Sequence, residues 1–346
     1  MRLNKNIKFF INYFFGPLLF AWLCFSIYQQ VNSQAHVEAT WLRLKESLVN
    51  GNGGNLALAM ALMVANWGLE TMKWQLAIAP VHRLRFWQAF KAVLSGVSFS
   101  VTTPNRTGEY LGRMLYMPEG KRLKVIAVTL ISSCSQLLMT LLFGILAFLV
   151  LKPALIQAWP VLATWHIHIT IGLFTGLAIL TGLYCKVAQL EKWIEQWLKR
   201  TSYLYLIEAV RDYNMQRLVA LLLLSFTRFC VFVLQYILLF HLFEVYVPAL
   251  TLFWIMSLVF LVLAVIPSIT LVEIGVRGEI SLLLVGLYTN NNLGILLTSV
   301  SIWLINLIIP ALAGSVLILS IRIFKKRKAR QQTRKRQQAE VLNGEF

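Results

Sequence analysis

The sequence has 346 residues, of which 58% are hydrophobic and 13% charged, too apolar a composition for an ordinary soluble domain. The formal net charge of +18 is concentrated in a few segments. We therefore attribute it to membrane topology and to anionic lipid headgroups, and not to nucleic-acid binding, because no nucleic-acid-binding module accompanies it. Apolar runs of about 20 residues predict an all-α polytopic membrane protein.

The elements are predicted in chain order. The first apolar run follows a basic start, is too long for the core of a signal peptide and lacks a cleavage site, so we expect a retained helix. Runs long enough for a full span cover about 9–28, 56–79, 125–151, 167–185, 218–241 and 293–321. Two further segments, 88–122 and 250–290, are interrupted by polar residues. Residues 1–321 thus form a single transmembrane domain, and 322–346 a polybasic cytoplasmic tail.

The positive charges predict which side each loop occupies. Lys and Arg crowd residues 2–8, 83–91, 106–124, 186–217 and 322–336. The positive-inside rule places these segments, and both termini, in the cytoplasm of an inner-membrane protein. Segment 88–122 therefore starts and ends inside, and its apolar run of about ten residues is too short to cross. By the same reasoning, segment 250–290 starts and ends outside. We expect about six full spans and two oppositely directed re-entrant segments; eight full spans are the alternative.

The two interrupted segments carry similar polar residues. Each has a Pro, then a Glu with an Arg four residues later, and a Gly between them. The first set is Pro104, Arg106, Gly108, Glu109, Gly112 and Arg113, and the second is Pro267, Glu273, Gly275, Arg277, Gly278 and Glu279. The spacing of four places Glu and Arg on one helix face, and Gly permits a turn or a close backbone approach. Broken helices in oppositely directed segments are typical of transporters built from an inverted repeat, with the site at the breaks.

These motifs resemble those of a known family. "TPNRTGEYLGR" resembles the Pro-x-Arg-x-Gly-Glu motif of the lysylphosphatidylglycerol synthase transmembrane region, a flippase-like family, and "IPSITLVEIGVRGE" resembles its second motif. The resemblance covers nearly the whole chain. In two places the chain departs from the pattern. The family's Arg three residues after Glu falls on Gly112, next to Arg113, and the Glu that follows Arg is displaced from Gly278 to Glu279.

The resemblance implies lipid handling. In these synthases, the membrane part is thought to move an aminoacylated lipid that a separate soluble domain makes. Too few residues follow the last predicted span to hold that domain, so we expect the stand-alone translocating part and no enzyme. The expected function is to bind a phospholipid or other lipid-linked headgroup and translocate it. A non-transporting partner of a cell-envelope glycosyltransferase or lipid synthase, and an intramembrane lipid-modifying transferase, are the alternatives.

The candidate headgroup-binding residues are Arg106, Glu109, Arg113, Glu273, Arg277 and Arg228, with Pro104, Gly108, Pro267 and Gly275 shaping the backbone. Arginines would hold phosphate, because a guanidinium binds phosphate through two parallel hydrogen bonds. The two glutamates would position those arginines or meet a cationic headgroup. Arg228 lies in the middle of a span and shares a face with Ser225 and Gln235. It predicts either a functional polar groove or a structural pair with Glu70 or Glu109.

The remaining polar residues predict structure more than chemistry. Glu70 and Lys73 are three residues apart and can satisfy each other. "SSCSQ" at 132–136 predicts helix–helix contacts. We expect neither a metal nor a cofactor, since His166 and His168 have no nearby carboxylate, the four cysteines form no CxxC pair, and no P-loop, HExxH or GxGxxG motif occurs. Membrane lipids are the expected partners, with cell-envelope biosynthetic enzymes as further candidates; the oligomeric state is open.

Overall fold

The structure is a computed structural model that describes residues 42, 45–46, 53–101, 103, 107–187, 209, 211, 213–266 and 270–319, with 270–273 described as backbone. All regular elements in these ranges are helical. The predicted first span at 9–28 and the basic tail at 322–346 lie outside the described residues. The division into a transmembrane domain and a tail therefore stays a prediction.

The described elements follow the chain as a series of helices. They are α1 (Gly53–Ile78), α2 (Phe86–Val101), α3 (Gly108–Met114), α4 (Lys124–Val150), α5 (Lys152–Ala158), α6 (Leu162–Cys185), α7 (Met215–Leu242), α8 (Ala249–Val265), α9 (Thr270–Val285) and α10 (Asn292–Leu319). A short 3-10 helix, Glu119–Lys121, precedes α4, and α10 contains a π-helical stretch, Leu304–Ile308. Helices α4, α6, α7 and α10 are long and apolar enough to cross a membrane. The chain is therefore a multi-pass, all-α membrane protein, as predicted.

The helix bounds differ from the predicted spans by only a few residues, with two exceptions. Helix α6 begins at Leu162, five residues before the predicted start, because no helix-breaking residue follows Pro160. The predicted loop before it contains the short helix α5, whose Pro153 lies in the first turn, where proline is tolerated. These differences leave the order of the elements unchanged.

Helices α1 and α7 pack antiparallel at the centre of the bundle. Gln235 Nε2 donates to the Ala59 carbonyl (2.8 Å) near one pair of helix ends, and Tyr213 Oη donates to the Ala77 carbonyl (2.6 Å) near the other. All of these residues are buried. The pair thus forms the frame against which the interrupted segments are placed.

Helices α2 and α3 form the hairpin that the sequence predicted for the first interrupted segment. A Cβ added at Gly112 would collide with the backbone of Ser95 and Gly96, and one added at Gly108 would collide with the Phe99 carbonyl. The two backbones are therefore in direct contact. With 16 and 7 residues, the helices are about 24 Å and 10 Å long, less than the hydrocarbon thickness of about 30 Å. The lengths favour re-entry over a full span, although the position in the membrane stays a prediction.

The second interrupted segment is broken over a shorter stretch than predicted. We expected the break to run from Pro267 to Glu279, which is wrong, because α9 is continuous from Thr270 to Val285. Gly275, Arg277 and Glu279 consequently lie within a helix. The reason is local: this stretch contains no proline, and Ile274, Ile280 and Leu284 supply one buried face.

Each interrupted segment packs on the long helix that follows the other one. Ser98 of α2 donates a hydrogen bond to the Ala311 carbonyl of α10, and Gly314 lets the backbone of α2 approach. Likewise, Gly144 of α4 accommodates Leu261 of α8, whose Cβ would lie 2.5 Å from a Cβ added at that glycine. Such reciprocal packing is what an inverted repeat predicts. It supports the repeat, which itself stays a prediction.

The topology can be tested by cysteine labelling in a variant without the native cysteines. We expect Gly120→Cys to resist a membrane-impermeant thiol reagent in intact cells, because the positive-inside rule places this basic segment in the cytoplasm. The matched control is Tyr246→Cys, 74% exposed in the turn between α7 and α8, which should react. Reaction of the cysteine at position 120 together with protection of the cysteine at position 246 would show that the topology is the reverse of the predicted one.

Candidate functional site

The candidate site is built on a polar face of α1. Asn66, Glu70 and Lys73 follow one another at spacings of four and three residues, which places them on the same side of the helix. All three are buried in the bundle although they are polar or charged. Buried charges are costly in a membrane protein and require partners.

Glu70 is the central carboxylate of this face. Its Oε2 accepts from Lys73 Nζ at 2.9 Å and from Arg228 Nη1 at 2.7 Å, and its Oε1 accepts from Arg113 Nη2 at 2.8 Å. Arg113 also pairs with Glu109 four residues before it on α3. We call Glu70, Lys73, Glu109, Arg113 and Arg228 the Glu70 cluster. Three helices, α1, α3 and α7, thus bring five charged side chains together.

The hairpin carries Arg113 into the cluster. Because Gly112 lies against the backbone of α2, no side chain fits at that position, and Arg113 is the residue that follows it. Arg113 is fully buried, and its guanidinium carbon lies 5.4 Å from the ring centroid of Trp74, within the range of a cation–π contact. Its Nε and Nη1 have no hydrogen-bond partner among the described residues.

Arg228 joins the cluster from the middle of α7. Besides Glu70 it binds Asn66, whose Oδ1 accepts from Arg228 Nε at 2.8 Å. The structure therefore shows the pair with Glu70 that was one of the two sequence interpretations. The side chain is nevertheless 20% exposed, while those of Lys73 and Arg113 are 2% and 0% exposed. Arg228 is thus the most accessible cation of the cluster, and a groove role stays a prediction.

The two residues expected to share the Arg228 groove serve helix contacts instead. Ser225 Oγ lies 2.9 Å from Ser135 Oγ on α4, and Gln235 binds the backbone of α1. Gln136 Nε2 donates to the Ser225 carbonyl at 3.4 Å, while Gln136 Oε1 accepts from Lys73 Nζ, also at 3.4 Å. Ser135 and Gln136 therefore join α4 to α7, and Gln136 also contacts Lys73 of the cluster.

Arg277 of the second segment has a different partner. It is buried on α9, and its Nη1 donates to Tyr236 Oη at 2.7 Å. Tyr236 follows Arg228 by eight residues on α7, which is about 12 Å along the helix axis. The predicted distance of about 10 Å between the Cα atoms of Glu109 and Arg277 stays a prediction.

The other candidate residues from the sequence are either outside the described residues or exposed. Pro104, Arg106 and Pro267 lie outside the described residues, as does the side chain of Glu273. Gly275 is exposed, and among the described residues no atom lies within 4 Å of its Cβ position, so it serves no close approach there. Glu279 is also exposed.

Two asparagines were not identified from the sequence. Asn66 Nδ2 donates to Asn306 Oδ1 at 3.3 Å, so α10 is connected to Arg228 through Asn66. Asn306 lies in the π-helical stretch of α10, and such stretches are frequent at functional sites. The position of Asn66 four residues before Glu70 was a usable signal. Asn306 gave none, because it is 240 residues away within an apolar run.

No group of three metal-ligating side chains occurs in the part of the chain that the structure describes. His166 is buried and stacks on Phe148 with ring centroids 4.4 Å apart, and His168 lies next to Trp165. Both histidines therefore make aromatic contacts on α6 and at its neighbour α4.

The fold and the cluster define a polytopic membrane protein that gathers opposite charges inside its helix bundle, beside a short helical hairpin. The chain belongs to the family described as the lysylphosphatidylglycerol synthase TM region, whose model matches residues 13–314. This match confirms the resemblance to this family and links the protein to the handling of lipid headgroups. The comparison with curated proteins finds no match.

The contact between Arg277 and Tyr236 leads to a testable prediction. Arg277→Lys keeps the charge but loses the planar guanidinium, so the protein should accumulate normally while lipid movement falls if the residue binds phosphate. Tyr236→Phe removes the hydroxyl that accepts this hydrogen bond from Arg277, a bond to a charged group worth about 1.5–3 kcal/mol, and serves as the structural comparison. Abundance in the membrane and lipid movement in vesicles are measured together.

Two results would show that Arg277 supports the fold instead. One is poor accumulation of Arg277→Ala with rescue by Glu273→Gln, the result expected if the two charges depend on each other as an ion pair. The other is an equal loss of thermal stability in Arg277→Lys and Tyr236→Phe with unchanged lipid movement. Either result would remove Arg277 from the candidate headgroup-binding residues.

Proposed function

We propose that this protein binds a lipid headgroup at the Glu70 cluster and lets it cross the inner membrane while the acyl chains stay in the lipid. The observation that carries the proposal is the cluster itself. On insertion scales, one Arg or Lys at the centre of a membrane helix costs about 2.5–3.5 kcal/mol. Buried ion pairs are often no more stabilising than well-packed apolar side chains of similar volume, so stability alone does not explain the cluster. The five charged side chains of the Glu70 cluster therefore support a polar path for a headgroup through the bundle.

The accessible members of the cluster suggest how a headgroup is held. The side chains of Arg228 and Glu109 are 20% and 24% exposed, whereas that of Glu70 is 7% exposed. Arg228 would bind phosphate oxygens, and Glu109 would meet a positively charged part of a headgroup. Arg106, Glu273 and Arg277 would extend the path towards the second segment, as proposed from the motifs.

The short hairpin of α2 and α3 explains how a polar path for the headgroup could form inside the bundle. Because these helices are short, a polar cleft can form where a full span would present apolar side chains to lipid. The sequence contains no P-loop, so movement would be passive or driven by an ion gradient. We further propose that both termini are cytoplasmic and that the protein catalyses no reaction.

The test is reconstitution of the purified protein into vesicles that contain a fluorescent phospholipid, with a reductant that bleaches only the outer leaflet. We expect the wild type to expose inner-leaflet lipid faster than protein-free vesicles. Arg228→Ala should slow this movement by about tenfold or more. The proposed hydrogen bonds from Arg228 to the phosphate oxygens of the lipid are bonds of a charged group, worth about 1.5–3 kcal/mol, and the variant cannot make them. It should still accumulate, because Glu70 keeps Lys73 and Arg113 as partners.

Arg122→Ala is the matched control, because Arg122 is 42% exposed outside the cluster. Its rate should equal that of the wild type. Vesicles without lipid movement would favour the alternative of a non-transporting partner of a cell-envelope enzyme. A new lipid species in the same vesicles would instead indicate a lipid-modifying transferase.

A further inference from the structure

The guanidinium of Arg228 is held at two of its nitrogens and on one face. Its Nε donates to Asn66 Oδ1 at 2.8 Å, its Nη1 donates to Glu70 Oε2 at 2.7 Å, and its central carbon lies 5.6 Å from the ring centroid of Trp67. Nη2 makes no hydrogen bond to the residues that the structure describes, and the side chain is 20% exposed. Nη2 is therefore the donor that remains for a phosphate oxygen.

The orientation of Asn66 follows from its two partners. An arginine only donates hydrogen bonds, so Asn66 must turn its Oδ1 towards Arg228. Its Nδ2 donates to Asn306 Oδ1 at 3.3 Å, and Asn306 Nδ2 donates to the Ile302 carbonyl, also at 3.3 Å. Both asparagines are buried, so their amides need these partners. A chain of hydrogen bonds therefore runs in one direction from Arg228 to the backbone of α10.

Pro310 explains the π-helical stretch that carries Asn306. In a regular α-helix the N–H of residue 310 would bind the carbonyl of residue 306, but proline has no N–H and its ring collides with that carbonyl. Pro310 is buried within α10, and just before it the turn is wider, since the Ile309 N–H binds the Leu304 carbonyl five residues earlier. One additional residue in a turn changes the register of the two helix halves by about 100°.

The half of α10 beyond Pro310 is fixed against the first hairpin. Ser98 Oγ of α2 donates to the Ala311 carbonyl at 2.5 Å, and a Cβ added at Gly314 would collide with the Leu94 carbonyl. With this half held by α2, a regular turn at 304–308 would rotate Asn306 away from Asn66. The π-helical stretch therefore lets α10 contact the hairpin and the Glu70 cluster at the same time.

We infer that Asn306 is a positioning residue of the headgroup site. Through Asn66 it holds the guanidinium of Arg228 in the orientation that leaves Nη2 for phosphate, and Pro310 gives Asn306 the register that this contact needs. The inference rests on the proposed function for the role of Arg228 and adds the residues that orient it. It also links the hairpin to the site, because α2 and Asn66 contact the same part of α10.

Two substitutions separate positioning from stability in the vesicle assay. Asn306→Ala removes the acceptor of Asn66 Nδ2, so lipid movement should fall by about fivefold. Pro310→Ala supplies the missing N–H and favours a regular helix, so movement should fall by a similar factor while the unfolding midpoint stays equal or rises. Leu312→Ala, at a 39% exposed position of α10, is the control and should leave both measurements unchanged. If Asn306→Ala does not accumulate, Pro310→Ala decides.

A chemical measurement follows Arg228 without relying on lipid movement. Phenylglyoxal modifies arginine side chains, and mass spectrometry of the digested full-length protein gives the rate at each arginine. In Asn306→Ala and in Pro310→Ala, Arg228 should react about threefold or more faster than in the wild type, because its Nε loses a properly oriented acceptor. Arg122, which is 42% exposed and outside the cluster, should react at the same rate in all three proteins.

The two measurements distinguish the inference from the proposed function. Faster modification of Arg228 in both variants, with no lipid movement even in the wild type, would support the positioning of Arg228 and remove translocation. Equal modification rates in the wild type and both variants would overturn the inference. Lipid movement that is present in the wild type and unchanged in both variants would overturn it as well, and would leave translocation in place.

Discussion

Glu70→Gln is expected to remove most of the protein from the membrane. The substitution keeps the shape of the side chain but leaves Lys73, Arg113 and Arg228 with Glu109 as the one carboxylate of the cluster. Removing one partner of a buried ion pair costs about 3–5 kcal/mol. This is a large part of the 5–15 kcal/mol, roughly, that stabilises a folded domain. The measurements are abundance in the membrane fraction and the unfolding midpoint in detergent.

A second substitution tests whether uncompensated positive charge causes the poor accumulation of Glu70→Gln. Lys73→Met in the Glu70→Gln background removes one of the uncompensated cations, so accumulation should partly recover. Glu119→Gln changes the same chemical group at an exposed position and should behave as the wild type. Normal accumulation of Glu70→Gln alone would mean that the cations are not held in place by Glu70, and the central role of this carboxylate would be wrong.

Gly112→Ala is expected to open the hairpin of α2 and α3. The added methyl group would collide with the backbone of Ser95 and Gly96, which cannot rotate away as a flexible side chain could. Overpacking of this kind costs about 1–3 kcal/mol, and more when backbone must move. Since Arg113 is the next residue, the shift should also separate it from Glu70. We expect a lower unfolding midpoint and a loss of lipid movement.

Gly120→Ala is the matched control for this effect. It adds the same methyl group eight residues later, in the 3-10 helix that follows α3, at a glycine whose Cβ position has no described atom within 4 Å. It should leave both measurements unchanged. If Gly112→Ala lowered stability but left lipid movement intact at a temperature where the protein is folded, the hairpin would position no functional residue.

The parts of the fold that follow from local physics were predictable from the sequence. The length of an apolar run and the charge of its flanks depend only on neighbouring residues, which is why helices are found at 56–79, 125–151, 167–185, 218–241 and 293–321 within a few residues of their predicted bounds, together with the first hairpin. The second break was predicted to be longer than it is, because it too was inferred from neighbouring residues alone. Glu273 and Arg277 were taken as residues of a break, although a spacing of four is equally a helix pattern, and α9 contains both.

The partners within the site were less predictable. Arg113 and Arg228 lie 43 and 158 positions from Glu70 in the sequence, and only the packing of the helices brings them together. The sequence indicated that Arg228 needs a partner inside the bundle, with Glu70 and Glu109 as the choices. It did not indicate that three cations share one carboxylate, because each pair, considered separately, looks complete.

The exchange of packing partners between the two interrupted segments has a consequence for biogenesis. Ser98 of α2 and the carbonyl of Ala311 that it binds are 213 residues apart. At a synthesis rate of about 5–20 residues per second, α2 waits about 10–40 s after its own translation for α10 to be made. During that interval the face of α2 that carries Ser98 lacks its partner on α10. We therefore expect the first interrupted segment to be made early and to reach its final packing late.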